Sequence, residues 1–225
     1  MKLYFSPLAC SLATRIALYE AGAHAEYVEV DLKTKTTPDA ADFLKINPLG
    51  LVPALRMDDG AGGLLTENGA ILQHVADRFP EAQLAPTDPL GRSRLHQWLS
   101  FIGTELHKAL YVPLLDKRAP EAVKAYALEK AESRLGWVAA HLEGREYLLD
   151  RFSVADAYLV TVLNWSIVTP IQLQSWPALV AYVKRVQARP QVARALAEEK
   201  GLYARELARD GATVPPAVAE ALRAS

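Results

Sequence analysis

The sequence contains a single cysteine, Cys10, among 225 residues. One cysteine cannot form a disulfide within the chain, and without a Cys-x-x-Cys pair internal dithiol redox chemistry is excluded. The five histidines include no two that lie three to five residues apart, so neither a structural zinc site nor any other bound metal is expected. Any redox role for the thiol would need an external thiol partner.

Long apolar runs are also lacking. No uninterrupted run approaches 18 residues, and the N-terminus has no apolar segment long enough for a secretion signal. The formal net charge is −1, which gives no general attraction to nucleic acid or to an anionic membrane. Together with the single cysteine, these absences predict a cytoplasmic protein with no membrane span and no nucleic-acid partner. Its 51% hydrophobic residues indicate a folded globular chain.

The chain changes character once along its length. Residues 1–79 alternate between strand and helix patterns in the order β-α-β-α-β-β-α, whereas residues 90–206 are helical throughout. The fold class predicted is therefore α/β followed by an all-α helical bundle. Strands are predicted at 2–6, 26–31, 52–57 and 64–65, and helices at 11–21, 38–46, 66–79, about 90–116, 120–142, 153–168, 176–188 and 190–206. Three prolines in residues 80–89 indicate a linker, and 207–225 is predicted to be a loose C-terminal extension.

Cys10 follows the first predicted strand and stands at the start of the first predicted helix. Unpaired N–H groups and the helix dipole at such a position favour an anion. We therefore expect the pKa of the thiol to be lowered and its nucleophilicity raised. The alternative is a small buried side chain, because free cysteines are commonly buried. The location favours the functional interpretation.

A turn followed by Val-Pro precedes the third predicted strand. A cis bond between Val52 and Pro53 would turn the Val52 backbone outward, where its N–H and C=O could pair with a peptide-like ligand. From the residues alone, a strand cap is the favoured interpretation, because proline cannot donate to a β-ladder.

Two helix starts also carry polar signals. Free N–H groups at Thr66–Asn68 could bind a carboxylate, and Glu67 could hold an ammonium group, but ordinary capping by Thr66 is the favoured interpretation from these residues alone. Ser153 and Asp156 resemble a capping box ahead of a long apolar helix. That second pattern is a folding signal with no assigned chemistry.

The joint order of these motifs resembles the soluble glutathione transferases, and among them the bacterial beta class. The resemblance extends from Met1 to about Tyr203 and rests on the segments KLYFSPLACSL, KTK, INPLGLVPAL, LLTENGAIL, GTELHK and FSVADAYL. It implies a thioredoxin-like N-terminal domain at 1–79, a linker at 80–89 and an all-helical domain at 90–206. It also implies a homodimer that binds reduced glutathione between the domains, as a co-substrate and not as a permanent cofactor.

By position, the resemblance implies roles for individual residues. Cys10 would contact the glutathione sulfur, and His107 would lie near it as a hydrogen-bond donor or proton acceptor. The other implied glutathione contacts are Lys35 at the glycyl carboxylate, Val52 before a cis Pro53 at the cysteinyl part, Glu67 and Asn68 at the γ-glutamyl end, and Ser100, Thr104 and Glu105 near His107. Tyr111 and Trp165 are candidate walls of a pocket for a hydrophobic electrophile, and both could equally be core aromatics.

The function that this resemblance implies is conjugation of reduced glutathione to small electrophiles. The enzyme must then stabilise the glutathione thiolate and place the electrophile beside it. A mixed disulfide between glutathione and Cys10 would add thiol-transferase or peroxidase activity. The alternatives are a non-catalytic binding or stress-regulatory protein of the same fold and, among enzymes, a reductive dehalogenase or isomerase that uses glutathione. Lys35, Glu67 and His107 favour an enzyme, because non-catalytic relatives often lose these residues.

Overall fold

Four short strands form one mixed sheet in the N-terminal third of the chain, in a computed structural model that describes residues 1–58, 60, 62–211 and 219. The strands are β1 (Lys2–Phe5), β2 (Glu26–Glu29), β3 (Ala54–Arg56) and β4 (Leu64–Thr66). Their spatial order is β2-β1-β3-β4, in which β1 runs parallel to β2 and antiparallel to β3, and β4 runs antiparallel to β3. The predicted order of the four strands along the chain is confirmed.

Helices flank the sheet and then form the rest of the described chain. In order they are α1 (Leu12–Glu20), α2 (Asn68–Arg78), α3 (Pro89–Phe101), α4 (Val112–Leu115), α5 (Glu121–Leu142), α6 (Val154–Asn164), α7 (Pro177–Gln187) and α8 (Pro190–Arg209). The architecture is thus a thioredoxin-like α/β domain followed by an all-helical domain, as predicted. Helix α1 packs against α6 and α8, and one continuous hydrophobic core joins the sheet to the helical domain.

The helix predicted at 38–46 is wrong in its extent, because only a 3-10 turn, Phe43–Lys45, forms there. Ala40 adopts a left-handed backbone conformation with φ +60°, which a right-handed helix cannot contain. Asp42 caps the turn by accepting a 2.9 Å hydrogen bond from the Leu44 N–H. Phe43 is fully buried and anchors the turn to the sheet.

The helix predicted at about 90–116 is continuous, but its middle is not α-helical. Residues Ile102–Tyr111 between α3 and α4 form a π-helix, in which the Val112 N–H bonds to the carbonyl of His107 five residues earlier. No local sequence signal predicted this segment. A π-helix changes which side chains share a face, and such segments are often found at functional sites.

Other boundaries agree with the predictions to within a few residues. The helix predicted at 153–168 is α-helical to Asn164 and ends in a 3-10 turn, Trp165–Val168. Helix α8 continues to Arg209, past the predicted end at 206. The predicted extension therefore begins inside α8, and its residues 212–218 and 220–225 lie outside the described residues.

The predicted capping box at the start of α6 is present. Asp156 Oδ2 accepts hydrogen bonds of 2.9 Å from both the N–H and the hydroxyl of Ser153. Its other oxygen accepts from the Leu148 N–H and the Tyr182 hydroxyl, also at 2.9 Å. Asp156 is fully buried, and these hydrogen bonds connect α6 to α7 and to the loop that precedes α6. No local sequence pattern indicates the contacts to Leu148 and Tyr182. Within the described residues, no helix is long and apolar enough to span a membrane.

Candidate functional site

A cleft of about 330 Å³ lies between the edge of the sheet domain and the π-helical segment. On the sheet side it is lined by Val52, Pro53, Thr66, Glu67 and Asn68, and on the helical side by Ser100, Gly103, Thr104, His107, Lys108 and Tyr158. The expected cis bond between Val52 and Pro53 is present. Eight of the predicted site residues therefore share one cleft: Cys10, Val52, Pro53, Glu67, Asn68, Ser100, Thr104 and His107.

A second, larger cavity of about 500 Å³ adjoins this cleft. Its lining is mostly apolar and includes Pro7, Leu8, Ala9, Leu32, Val112, Leu115, Trp165, Ile167 and Val168. Cys10 and His107 line both the cleft and the cavity. The two spaces therefore meet at a thiol and an imidazole, where a polar ligand on one side and an apolar ligand on the other would come together.

The prediction that the Cys10 thiol has a lowered pKa is wrong. Burial raises the pKa of Cys10 to about 11, and the positive charge of Lys108 offsets this only in part. The S–H group donates a hydrogen bond of 3.1 Å to the carbonyl oxygen of Val52, an interaction that favours the protonated form. Helix α1 begins only at Leu12, so Cys10 precedes even the N-cap residue, Ser11.

The helical domain holds the loop before Cys10 through Leu8. This residue has a left-handed backbone conformation with φ +57°, which costs a non-glycine residue about 1–2 kcal/mol. Its N–H donates a 2.7 Å hydrogen bond to Glu199 Oε2, and its carbonyl accepts a 2.8 Å bond from Trp165 Nε1. Both peptide groups of the strained residue are thus fixed by side chains more than 150 positions away in the sequence.

Glu199 is a functional-site residue that the sequence reasoning missed. It is fully buried, and its Oε1 accepts a 2.8 Å hydrogen bond from Arg15 Nε. The Arg15 guanidinium lies 4.3 Å from the ring centre of Phe5 and 4.2 Å from that of Tyr27. Burial raises the pKa of Glu199 to about 7, although Arg15 works in the opposite direction.

One signal for this residue was present in the sequence. Val192, Ala195, Leu196 and Glu199 follow the spacing of a buried helix face, and all four are buried in α8. A carboxylate that continues an apolar face must be paired within the protein. The pattern therefore indicated a buried acidic residue, although it could not indicate which cation pairs with it.

His107 lies in the π-helical segment with its Nδ1 atom 2.7 Å from the Tyr158 hydroxyl. Burial, helped by the nearby charge of Lys108, lowers the pKa of His107 to about 4. The imidazole is therefore neutral at pH 7. If the Tyr158 hydroxyl donates to Nδ1, the ring carries its proton on Nε2 and can donate one hydrogen bond.

The capping interpretation for Thr66 is wrong. Thr66 ends β4, and the N-cap of α2 is Glu67, whose carbonyl accepts from the N–H groups of Ala70 and Ile71 at 3.1 and 3.0 Å. Glu67 has φ +66°, a left-handed conformation, and its side chain makes no capping hydrogen bond. The Glu67 carboxylate therefore does not cap the start of α2. The left-handed backbone at this residue leaves the carboxylate at the cleft.

Asn68 supports the Cys10 loop with its side chain. Its Nδ2 donates a 2.9 Å hydrogen bond to the Cys10 carbonyl, and its Oδ1 accepts a 3.2 Å bond from the Thr14 hydroxyl. The amide is buried and spans α2 and α1. These two bonds fix the side chain against the Cys10 loop, and they use only one of the two N–H donors of the amide.

Three predicted residues are not among the described residues that line the cleft or the cavity. Lys35 Nζ donates a 2.9 Å hydrogen bond to the Gly50 carbonyl, which is flanked by the cleft residues Leu49 and Leu51. Glu105 forms an ion pair of 2.8 Å with Arg134. Tyr111 is fully buried, with its hydroxyl 2.7 Å from that of Ser166, so it occupies a core position.

The remaining predicted residues lie where a ligand could reach them. Trp165 lines the cavity, and its ring centre is 5.1 Å from that of His107. Ser100 and Thr104 line the cleft, where the Thr104 hydroxyl donates a 3.0 Å bond to the Ser100 carbonyl. In the described part of the chain, no three His, Cys, Asp or Glu side chains converge as metal ligands would.

The chain is similar to proteins of known family along most of its length. Residues 1–77 match the family model for the glutathione S-transferase N-terminal domain, and residues 101–190 match that for the C-terminal domain. Glutathione S-transferase GstA of Escherichia coli O157:H7 is 40% identical over 201 residues, which cover 88% of this chain and 98% of that protein.

Two solved structures are similar in fold as well. A sphingomonad glutathione S-transferase complexed with glutathione has a TM-score of 0.84 at 46% identity, covering 88% of this chain and 98% of that one. A bacterial beta class glutathione S-transferase of Sphingomonas chungbukensis has a TM-score of 0.83 at 45% identity, with the same coverage of 88% and 98%.

Proposed function

Because this chain belongs to the glutathione S-transferase family and is an enzyme of that kind, we propose that it joins glutathione to hydrophobic electrophiles where its cleft and cavity meet. The observation that carries the proposal is that Cys10 and His107 line both spaces. Glutathione is a polar peptide and suits the cleft, whereas an apolar electrophile suits the cavity. Their reacting atoms would then meet beside a thiol and a neutral imidazole.

The groups around the cleft suit a charged tripeptide. The Glu67 carboxylate can accept from the ammonium group of the γ-glutamyl end, and the start of α2 can bind its carboxylate. The Val52 backbone would pair with the cysteinyl part. Lys35, already within 2.9 Å of the Gly50 carbonyl, would turn to the glycyl carboxylate. Ser100 and Thr104 would complete the helical side.

The reaction needs an ionised glutathione thiol, which in water has a pKa near 8–9. The neutral His107 imidazole can donate a hydrogen bond to the resulting thiolate, and so can the Cys10 thiol once its S–H turns from the Val52 carbonyl. The thiol proton passes to water, the sulfur forms a bond to the electrophilic carbon, and the leaving group departs with its bonding electrons. The site thus stabilises negative sulfur by preorganised donors.

Thiol transfer through Cys10 is the weaker candidate activity. A mixed disulfide requires attack by a thiolate, and a thiol with a pKa of about 11 is almost fully protonated at neutral pH. Conjugation needs only a neutral Cys10 that donates a hydrogen bond. The raised pKa of Cys10 therefore favours conjugation over thiol-transferase or peroxidase activity.

We also propose that the protein is a beta-class, cytoplasmic homodimer. The beta-class structure among its similar proteins supports the class assignment. Leu44 is 44% exposed and is not among the described residues that line the cleft or the cavity, which supports burial of its surface against a second copy. A single sedimenting species near the monomer mass of 24.7 kDa at micromolar concentration would contradict the dimer.

Calorimetric titration with reduced glutathione, followed by turnover of 1-chloro-2,4-dinitrobenzene and a panel of other electrophiles, tests the function. We expect saturable binding and release of chloride as the conjugate forms. Binding without turnover of any electrophile would instead favour the non-catalytic alternative. Absence of binding would contradict the assignment of the cleft.

A further inference from the structure

The C-terminal half of α8 forms one wall of the apolar cavity. Lys200, Tyr203 and Glu206 line the cavity at intervals of three residues, so they share one face of the helix. Helix α8 also supplies Glu199, which holds the Leu8 peptide. The same helix therefore positions the Cys10 loop with one turn and closes the cavity with the next two.

Two ion pairs hold the end of α8 against the sheet domain. Arg209 pairs with Glu29 of β2 at 2.6 Å, and Lys33 pairs with Asp210. Leu32 lies between these anchor points and also lines the cavity. The wall is thus built from both domains, and its position does not depend on α8 packing alone.

This wall lies at the limit of what the chain shares with its relatives. The alignments with two of the relatives include 98% of each relative's length but only 88% of this chain. The motifs of the resemblance also end near Tyr203. The match to the family model of the C-terminal domain ends at residue 190, so almost all of α8 lies beyond it.

The charged residues in the described lining of the cavity are two carboxylates, Asp116 and Glu206, and one ammonium, Lys200. Burial, with Asp210 and Glu29, raises the pKa of the Glu206 carboxyl, while Lys33 and Arg209, which pair with those two carboxylates, oppose the rise. The rest of the lining is mostly apolar. A carboxylate on a bound electrophile would meet like charge at this end of the cavity.

We propose that Glu206, on the C-terminal half of α8, makes the cavity reject electrophiles that carry a carboxylate and so select neutral ones. This inference rests on the proposed conjugation activity and names the substrate class for it. Tyr203 contributes a hydroxyl to the same wall, which suits an uncharged hydrogen-bonding substituent such as an amide or a hydroxyl group.

A matched pair of electrophiles tests the selection. The amide 4-chloro-3-nitrobenzamide and the anion 4-chloro-3-nitrobenzoate are close in size and react by the same displacement of chloride by the glutathione sulfur. The kcat/KM ratio of anion to amide is measured for the wild type, for Glu206→Gln and for Arg205→Gln. Arg205 is exposed and is not among the described lining residues, so it controls for a general change of charge on α8.

Binding is measured in parallel with the two product conjugates of glutathione, so that the result does not depend on turnover. We expect Glu206→Gln to raise the anion-to-amide ratio about 3- to 10-fold in both assays, the range for removing one partly exposed like charge. Arg205→Gln should leave the ratio unchanged or lower it.

The outcomes separate this inference from the proposed function. An unchanged ratio in Glu206→Gln, with amide turnover intact, overturns the selection by Glu206 and leaves conjugation standing. Equal increases in Glu206→Gln and Arg205→Gln also overturn it, because the effect would then not depend on the wall. A wild-type protein that neither binds the conjugates nor turns over the amide overturns both proposals.

Discussion

The backbone N–H of Leu8 donates a 2.7 Å hydrogen bond to the buried carboxylate of Glu199, 191 residues further along the chain. The other carboxylate oxygen pairs with Arg15 on α1. Through this one side chain, helix α8 of the helical domain holds the loop that carries Cys10. The position of the thiol is therefore set by contacts between the domains rather than by the β1–α1 connection alone.

Removing the Glu199 carboxylate should destabilise the protein strongly. In Glu199→Leu, the Leu8 N–H loses its partner and the buried Arg15 charge keeps only the partly exposed Glu198 as an ion-pair partner. Breaking a buried pair of this kind costs about 3–5 kcal/mol of unfolding free energy. Urea denaturation measures the loss. Glu198→Gln is the matched control: Glu198 also contacts Arg15, at 3.1 Å, but is partly exposed, so we expect a loss below about 1 kcal/mol. Equal losses of unfolding free energy in the two variants would contradict the larger stabilising contribution of Glu199.

Glu199 should also make stability depend on pH near neutrality. Burial raises its pKa from an ordinary value of 4.5 to about 7, so between these values the folded state binds a proton that the unfolded state has released. The raised pKa of Glu199 therefore adds about 1–3 kcal/mol to the free energy of unfolding below pH 4.5, and this stabilisation is lost as the pH rises through 7. Denaturation of the wild type and Glu199→Gln from pH 5 to 8 measures the difference. A difference that stays constant over this range would rule out titration of Glu199.

The Cys10 thiol should react slowly at neutral pH. With a pKa of about 11, its thiolate fraction is about 100-fold below that of a free cysteine, and iodoacetamide labelling should rise with pH up to that value. A labelling midpoint below pH 9 would show that the start of α1 lowers the pKa after all. Bound glutathione should protect the thiol, because it lines the same cleft.

Cys10→Ala extends the test to activity. We expect it to keep most of the affinity for glutathione, because the tripeptide is bound by other groups. Conjugation should fall only modestly, since His107 remains as a donor. Any thiol transfer that the wild type shows should be lost entirely, and full retention of that activity in this variant would remove the mixed-disulfide mechanism.

Glu67 and Lys35 should account for much of the affinity for glutathione. Each is proposed to bind one charged end of the tripeptide, and loss of a hydrogen bond to a charged group costs about 1–3 kcal/mol. Calorimetry of Glu67→Ala and Lys35→Ala measures the loss. Lys45→Ala, an exposed lysine on the neighbouring turn, controls for a general effect of charge. If either site variant binds like the wild type, that residue is not part of the glutathione site.

His107 should contribute no inflection to the pH profile of kcat/KM between pH 6 and 8, because burial holds its pKa near 4. His107→Asn should lower kcat by about 10- to 100-fold, with a smaller effect on the Kd of glutathione. Tyr158→Phe, which removes the 2.7 Å contact with Nδ1, should produce part of this loss. An inflection near pH 6.5 that vanishes in His107→Asn would show that the imidazole titrates there.

The sequence alone determined the order of the strands, most helix boundaries, the α6 capping box and the residues that share the cleft. These features depend on local signals, such as the periodicity of apolar residues and the identity of capping residues, or on motifs whose spacing belongs to a family. The segment at 38–46 shows the limit, because its helical pattern did not reveal the left-handed conformation of Ala40.

Only the tertiary structure decided the electrostatics of the site. The pKa of Cys10 depends on how far the helical domain excludes water from the thiol, and the desolvation cost outweighs the helix dipole that the sequence suggested. The pairing of Glu199 with Arg15 and Leu8, the π-helix that carries His107, and the cavity wall on α8 likewise arise between segments far apart in the chain. Burial and contact are properties of the assembled fold, so no local pattern contains them.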